Sequence, residues 1–115
     1  LVKPIKIFEE DINILLQNKF FNQLEIPNRV IIGGCDKGTK SSIIKKLSNL
    51  KIKDLVVVIP IINLESLQKL KIIFEEHNYQ TSFLMIQTYK GISIAEGSRL
   101  EPSNPVFILK GKKYN

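Results

Sequence analysis

The residues able to do chemistry are few. There is one cysteine, Cys35, and one histidine, His77. A zinc site draws on several thiolate or imidazole ligands, so one of each is too few. Cys35 lies just ahead of an expected helix start, where a helix dipole can activate a thiol. It has no second cysteine and no histidine near it in sequence, and a small residue in a tight loop is the simpler reading. His77, beside Asn78 at the end of an expected helix, reads as a helix-terminus residue. Gly33-Gly34 closes an apolar run, where the backbone can turn sharply or approach a ligand with no Cβ in the way. The pair lacks both the G-x-G-x-x-G of a dinucleotide site and the G-x-x-x-x-G-K-[ST] of a P-loop. Gly38-Thr39-Lys40-Ser41 does not supply the missing spacing, which argues against nucleotide hydrolysis. Asp11 stands between an expected strand and an expected helix. It can cap that helix or, in a nucleotide-like site, accept from an adenine amino group. Lys90, Arg99 and Lys110 flank a late polar segment, either as solvated charges or as donors to substrate carboxylates.

The chain that must position these groups has 115 residues, 43% hydrophobic and 24% charged, one domain's worth of chain with globular composition. Seventeen Lys and Arg against eleven Asp and Glu give a net charge of +6 and a pI near 9.5. That balance invites nucleic acid or acidic lipid. The invitation is weak, because only Arg29 and Arg99 are arginine, the better bidentate reader of phosphates and bases. Nineteen Ile and nine Asn beside a single Ala point instead to an AT-rich coding sequence. The unpaired cysteine suits a reducing compartment, so a cytoplasmic protein is expected. The longest apolar run, Leu55 to Ile62, is eight residues and contains Pro60, against the roughly 20 that span a bilayer. No membrane segment and no signal peptide are expected. Residue 1 is Leu and the only Met is Met85, from which the chain is expected to be a piece of a longer protein.

Hydrophobic spacing divides the chain into elements. Pro4 to Phe8 reads as a strand, and Ile12, Leu15, Leu16, Phe20 and Leu24 as the face of a helix that stops at Pro27-Asn28. Arg29 to Gly33 reads as a buried strand. A second helix opens near Gly38-Thr39, with Ile43, Ile44, Leu47 and Leu50 inside and Lys40, Lys45 and Lys46 outside. Leu55 to Ile59 reads as a mid-sheet strand. A third helix runs from about Leu64 to His77, capped by Asn63 and burying Leu67, Leu70, Ile73 and Phe74. Thr81 to Tyr89 reads as a strand, 91–104 as a loop, Pro105 to Leu109 as a strand, and Lys110 to Lys113 as an exposed end. Alternation of this kind predicts an α/β fold, largely parallel, with an antiparallel strand from the C-terminus. Ligands on such sheets bind at the carboxyl ends of the strands.

Four stretches carry a resemblance. Pro27-Asn28-Arg29-Val30-Ile31-Ile32-Gly33-Gly34-Cys35 is similar to a P-D-R-hydrophobic-hydrophobic-G-G-S strand and loop. Val56-Val57-Val58 followed by Asn63-Leu64-Glu65-Ser66-Leu67 resembles an apolar strand with a T-L-E or N-L-E helix start. Gln87 is followed at a matching spacing by Asn104-Pro105-Val106-Phe107-Ile108-Leu109, similar to N-P-V-[YF]-I-hydrophobic. Glu9-Glu10-Asp11 resembles an E-G-[DS] strand end. Together, and in this order, they resemble the C-terminal half of the decarboxylating precorrin-6B methyltransferases of cobalamin biosynthesis, which methylate carbon 15 of the macrocycle. The departures are Asp36-Lys37 for a second glycine pair, Ala95-Glu96 for a late Gly-Gly, and Pro60 for an Asn that often ends the strand.

The resemblance implies a Rossmann-like three-layer sheet, mostly parallel with an antiparallel C-terminal strand and truncated at its N-terminus. Residues 1–115 would be the C-terminal portion of one methyltransferase domain, inactive alone because the glycine-rich donor turn lies upstream. It implies S-adenosylmethionine as cofactor, a tetrapyrrole corrin precursor as substrate, and a homo-oligomer for the full-length parent. Asp11 would meet the adenine edge, the backbone at Gly33 and Gly34 would floor the space between donor and macrocycle, and Lys90 and Arg99 would hold substrate carboxylates. The competing expectation is a non-catalytic Rossmann-like basic module that binds RNA or a protein partner.

Overall fold

The computed structural model describes Glu9, Asp11, Ile12 and residues 27–114. The expected strand at Pro4 to Phe8 and helix positions Leu15 to Leu24 lie outside the described residues. Ile12 is helical and packs, half-buried, against the core. The described elements run β1 (Arg29–Ile31), α1 (Lys37–Asn49), β2 (Val56–Ile61), α2 (Leu64–Glu76), β3 (Tyr79–Ile86), β4 (Tyr89–Ile94), β5 (Gly97–Pro102) and β6 (Val106–Lys113).

Four strands form one sheet in the order β1-β2-β6-β3. β1 and β2 are parallel, and β6 is antiparallel to both β2 and β3. Strands β1, β2 and β3 therefore share one direction and the C-terminal strand opposes them. It is inserted between β2 and β3 rather than added at an edge. Pro60 lies inside β2, opposite Ile108, but β1 pairs only as far as Val58. The proline thus falls where β2 has lost one neighbour and a ladder donor is not needed on that side.

The helices follow their 3.6-residue period. Asp36, rather than Gly38-Thr39, starts α1: its Oδ1 accepts from the Thr39 N–H at 2.7 Å. Ile43, Ile44 and Leu47 are buried as the spacing requires, while Leu50, expected inside, is the C-cap residue and is exposed. Asn63 caps α2 by accepting from the Ser66 N–H at 3.1 Å, and Leu67, Leu70 and Phe74 are buried. Asn63→Ala should cost about 1 kcal/mol of unfolding free energy, the usual worth of an N-cap, measurable by urea denaturation. His77 ends α2, its Nδ1 bonded to the Ile73 carbonyl at 2.8 Å. Asn78, at φ 65, turns the chain directly into β3.

Register assigns each strand residue to a face. Val57, Ile59, Ile61, Leu109 and Tyr79 lie on one face and join Ile43, Ile44, Leu47, Leu67, Leu70 and Phe74 in a single apolar cluster. Both helices therefore cover this face. Phe74 anchors it, with its ring centroid 4.9 Å from that of Tyr79 in an edge-to-face arrangement. Lys113 lies over the other ring, 5.9 Å from its centroid. Burial pushes the Tyr79 phenol up to about 12. Apart from the Tyr79 phenol, no polar or charged side chain among the described residues is fully buried.

Three expectations need correction. Arg29 to Gly33 is a strand of only three residues, with Ile31 78% exposed on the side that neither α1 nor α2 covers. The 91–104 segment is a hairpin, β4 and β5 paired from Tyr89↔Pro102 to Ile94↔Gly97. The Lys110 to Lys113 tail belongs to β6, which continues to Lys113 because Lys110 and Lys112 point away from the helices while Gly111 makes room for Phe74.

Candidate functional site at the carboxyl end of the sheet

Since β1, β2 and β3 run the same way, the connections leaving them emerge at one end of the sheet. Three pieces meet that description: the 32–36 loop after β1, Ile62-Asn63 after β2, and the β4–β5 hairpin after β3. This is the end where ligands bind on open α/β sheets.

The 32–36 loop carries the glycine pair. It is tied to β2 where the Ile32 N–H donates to the Val58 carbonyl at 3.0 Å. Gly34 has φ +72, a left-handed conformation that by itself accounts for glycine. Gly33 is different. Its φ is not positive, and a Cβ built there meets nothing within 4 Å. Neither backbone strain nor packing within the described residues asks for glycine at 33, whereas the close approach of a ligand would. The next residues serve the helix: Asp36 is held below its ordinary 3.8 chiefly by the Thr39 N–H it accepts. The Lys37 ammonium is pushed below its ordinary 10.5 by Lys69 beside it. Cys35 is half-buried against the core, as a small residue in a tight loop should be.

After β2, Ile62 and Leu64 present apolar surface at the same end, 70% and 53% exposed. Asn63 between them is committed to its cap. Ile62 and Leu64 thus form an apolar rim at the end of the sheet where the glycine loop also emerges.

The hairpin supplies the charge. Lys90 pairs directly with Glu101, and Arg99 with Ile92. By the two-residue period of strands, Lys90, Ile92, Arg99 and Glu101 share one face. Lys90 and Arg99 are diagonal neighbours there, roughly 7–8 Å apart at the backbone, with Glu101 adjacent to both. Both cations are exposed. The hairpin tip is the two-residue turn Ala95-Glu96, with Gly97 at φ 153 after it. At its base the four-stranded ladder is interrupted, and the Gln87 amide bridges the gap by donating to the Thr88 and Ser103 carbonyls. The Ser103 N–H returns a bond to the Thr88 carbonyl at 2.9 Å.

The structure therefore brings Gly33, Gly34, Lys90 and Arg99 to one end of the sheet, and Lys90 and Arg99 onto one surface. Asp11 is exposed and directly precedes helical Ile12. Lys110, the third cation considered, is not with them: it faces out from the middle of β6, opposite Val58 and Ser82. Glu101 escaped sequence reasoning; Gln87, Ile62 and Leu64 stood in stretches that were read from the sequence, but without a part in the site. The period-two alternation of Ile92 and Ile94 and the Gly97 after a two-residue turn were the signals that a hairpin, and hence a shared face, was present. Among the described residues no cluster of three or more His, Cys, Asp or Glu is placed to hold a metal ion. No described helix is long and apolar enough to cross a membrane.

Comparison with known proteins is informative at the level of structure. No family model matches the chain, and a search of curated proteins finds no match. Among solved structures, a precorrin-6y C5,15-methyltransferase from Geobacter metallireducens superposes with a TM-score of 0.69 at 28% identity. The match covers 82% of this chain and 48% of that one. A precorrin 8W decarboxylase from Methanobacterium thermoautotrophicum superposes with a TM-score of 0.68 at 13% identity, over 81% of this chain and 50% of the other. The chain spans about half the length of these relatives. It has, over that half, the Rossmann-like α/β fold of cobalamin-pathway methyltransferase domains.

Proposed function

We propose that the chain is one half of an S-adenosylmethionine-dependent C-methyltransferase that acts on a corrin precursor, precorrin-6B or its cobalt form, with decarboxylation. The observation that carries this reading is Gly33, a glycine at the carboxyl end of β1 that neither φ nor neighbouring atoms explain. The open space over that backbone leaves room for a flat ligand lying against it. S-adenosylmethionine, when bound, supplies an electrophilic methyl group.

The rest is work for the chain's own residues. Asp11 accepts from an exocyclic amino group at the adenine edge. The backbone of Gly33 and Gly34 forms the floor, and the Ile62 and Leu64 side chains exclude water from the face beside it. Lys90 and Arg99 engage two carboxylates of the substrate and fix the ring's position, so that the reacting carbon is aligned rather than activated. Carbon dioxide leaves from an acetate arm whose electrons are drawn into the adjacent ring system, which asks the protein for positioning and not for a base. Glu101 competes for the same two cations and so sets how readily they release a bound acid.

The test is carbon dioxide release and methyl incorporation by a chimera that joins this chain to the part of the Geobacter metallireducens protein it does not match. One carbon dioxide per methyl transferred supports the reading, and methylation of a corrin precursor without decarboxylation overturns it. Lys90→Ala and Arg99→Ala should each raise KM about tenfold, the loss of one charge-assisted hydrogen bond, with kcat little changed. A second reading, a basic module for RNA or protein, predicts binding to unrelated RNA that falls steeply with salt and no donor binding.

A further inference from the structure

The two cations of the hairpin share a face because of an irregularity in the ladder that leads to them. On the β3–β6 ladder Met85 and Phe107 face one way, and Ile86 and Val106 the other. Continued without a break, that alternation would send Lys90 to the side of Ile86 and Arg99 to the side of Phe107. In the hairpin, Lys90 pairs with Glu101 and Ile92 with Arg99, so both cations lie on one side. The difference arises at the junction of the two ladders. Gln87 and Thr88 lead from Ile86 to Tyr89, whereas Ser103, Asn104 and Pro105 lead from Pro102 to Val106. Three residues against two is the count of a β-bulge, which bends a strand, increases its twist and re-aims the side chains beyond it. Pro105 suits the break, since it has no N–H to give to a ladder.

Gln87 stands at this junction. Its Nε2 donates to the Ser103 carbonyl on the opposite side and to the Thr88 carbonyl at 3.2 Å, while the Ser103 N–H donates to the Thr88 carbonyl at 2.9 Å. One side chain thus joins the short side of the bulge to the long one. Among the described residues β4 and β5 pair with each other and with no other strand, and the junction is what ties their ladder to the four-stranded sheet. We propose that Gln87 is a positioning residue for Lys90 and Arg99: its amide locks the bulge at one bend, and so holds the face bearing both cations at one angle to the glycine loop. The role rests on the proposed part of Lys90 and Arg99 in holding substrate carboxylates, and it reaches the substrate only through them.

Two measurements test it, and the first needs neither donor nor substrate. In the full chain with Cys35→Ser, nitroxide labels at Ser98→Cys and Lys45→Cys report the distance from the hairpin to α1 by double electron–electron resonance. Both positions are exposed, and Ser98 lies on the hairpin face opposite the cations. The parent should give one narrow distance distribution. Gln87→Ala should broaden it or add a second distance, and Gln87→Glu, similar in shape but without the donor when ionised, should do the same. An unchanged distribution in Gln87→Ala overturns the proposal, whatever the chain's activity. The second measurement uses the chimera with the unmatched part of the Geobacter metallireducens protein and precorrin-6B. Gln87→Ala should raise KM roughly tenfold, the worth of one hydrogen bond to a charged group, with kcat and the urea midpoint little changed. In a background of Lys90→Ala with Arg99→Ala, the same substitution should leave KM where it was. A full effect in that background shows Gln87 acting without the cations and overturns the proposal, as does an unchanged KM in Gln87→Ala where Lys90→Ala raises it. A broadened distribution beside a KM that neither Lys90→Ala nor Arg99→Ala changes defeats the carboxylate reading, and leaves Gln87 as the residue that positions the pair.

Discussion

Phe74→Ala is expected to lower the unfolding free energy by about 3–5 kcal/mol, the usual cost of truncating a buried aromatic. The ring is fully buried in the described core, and it holds three elements at once. It projects from α2, meets the Tyr79 ring of β3 edge to face, and lies against Gly111 of β6. Tyr79 in turn reaches across to α1, where its hydroxyl donates to the Ile44 carbonyl at 3.4 Å. Removing the Phe74 ring leaves a cavity at the junction of both helices with the antiparallel insertion, and neighbours on three elements would have to move to fill it. Equilibrium urea unfolding measures the loss. A cost under about 1 kcal/mol, the scale of a partly exposed site, would mean that this junction is not the centre of the core.

Gly111→Ala should be nearly as damaging for the opposite reason. A Cβ there would sit 2.5 Å from two atoms of the Phe74 ring, closer than real Cβ contacts come. Either the ring leaves its rotamer or β6 shifts away from α2. Overpacking of this kind costs about 1–3 kcal/mol. The two substitutions share one contact, so they should not add. In a Phe74→Ala background the extra methyl of Gly111→Ala enters the cavity and should cost little. A double-mutant cycle by urea denaturation reads this coupling, and strict additivity would contradict the contact.

This junction also marks where the sequence was legible and where it was not. Ile43, Ile44, Leu47, Leu67, Leu70 and Phe74 fell on helix faces by period alone, because a helix with one covered side must repeat its apolar residues every three or four positions. Asn63 was recognisable as a cap for the same local reason. Gly111 was not, since its role is set by a ring 37 positions earlier in the chain, and no local pattern reports such a contact. The lysines around it disguised a strand as a charged tail: with α1 and α2 on only one face of β6, alternation there runs between Leu109, Gly111 and Lys113 inward and Lys110 and Lys112 outward.

The hairpin was hidden by a related effect. Burial gives strands their apolar signature, and β4 and β5 are almost wholly exposed, so Gly91, Ser93, Gly97, Ser98 and Pro102 read as loop. The site suffered in proportion. Gly33 and Gly34 could be placed at a strand end from their neighbours. That Lys90 and Arg99 share a surface with Glu101 depended on pairing across a turn, which the composition concealed.

The central claim is that the carboxyl end of this sheet is one wall of a methyl-donor pocket whose other wall lies in the unmatched half of the fold. Calorimetric titration of S-adenosylmethionine into the chain alone and into the chimera with the unmatched part of the Geobacter metallireducens protein tests it most directly. Saturable binding by the chimera, weakened by Gly33→Val, with none by the chain alone, is the predicted result. Equal binding by both, or chimera binding indifferent to Gly33→Val, would contradict the account.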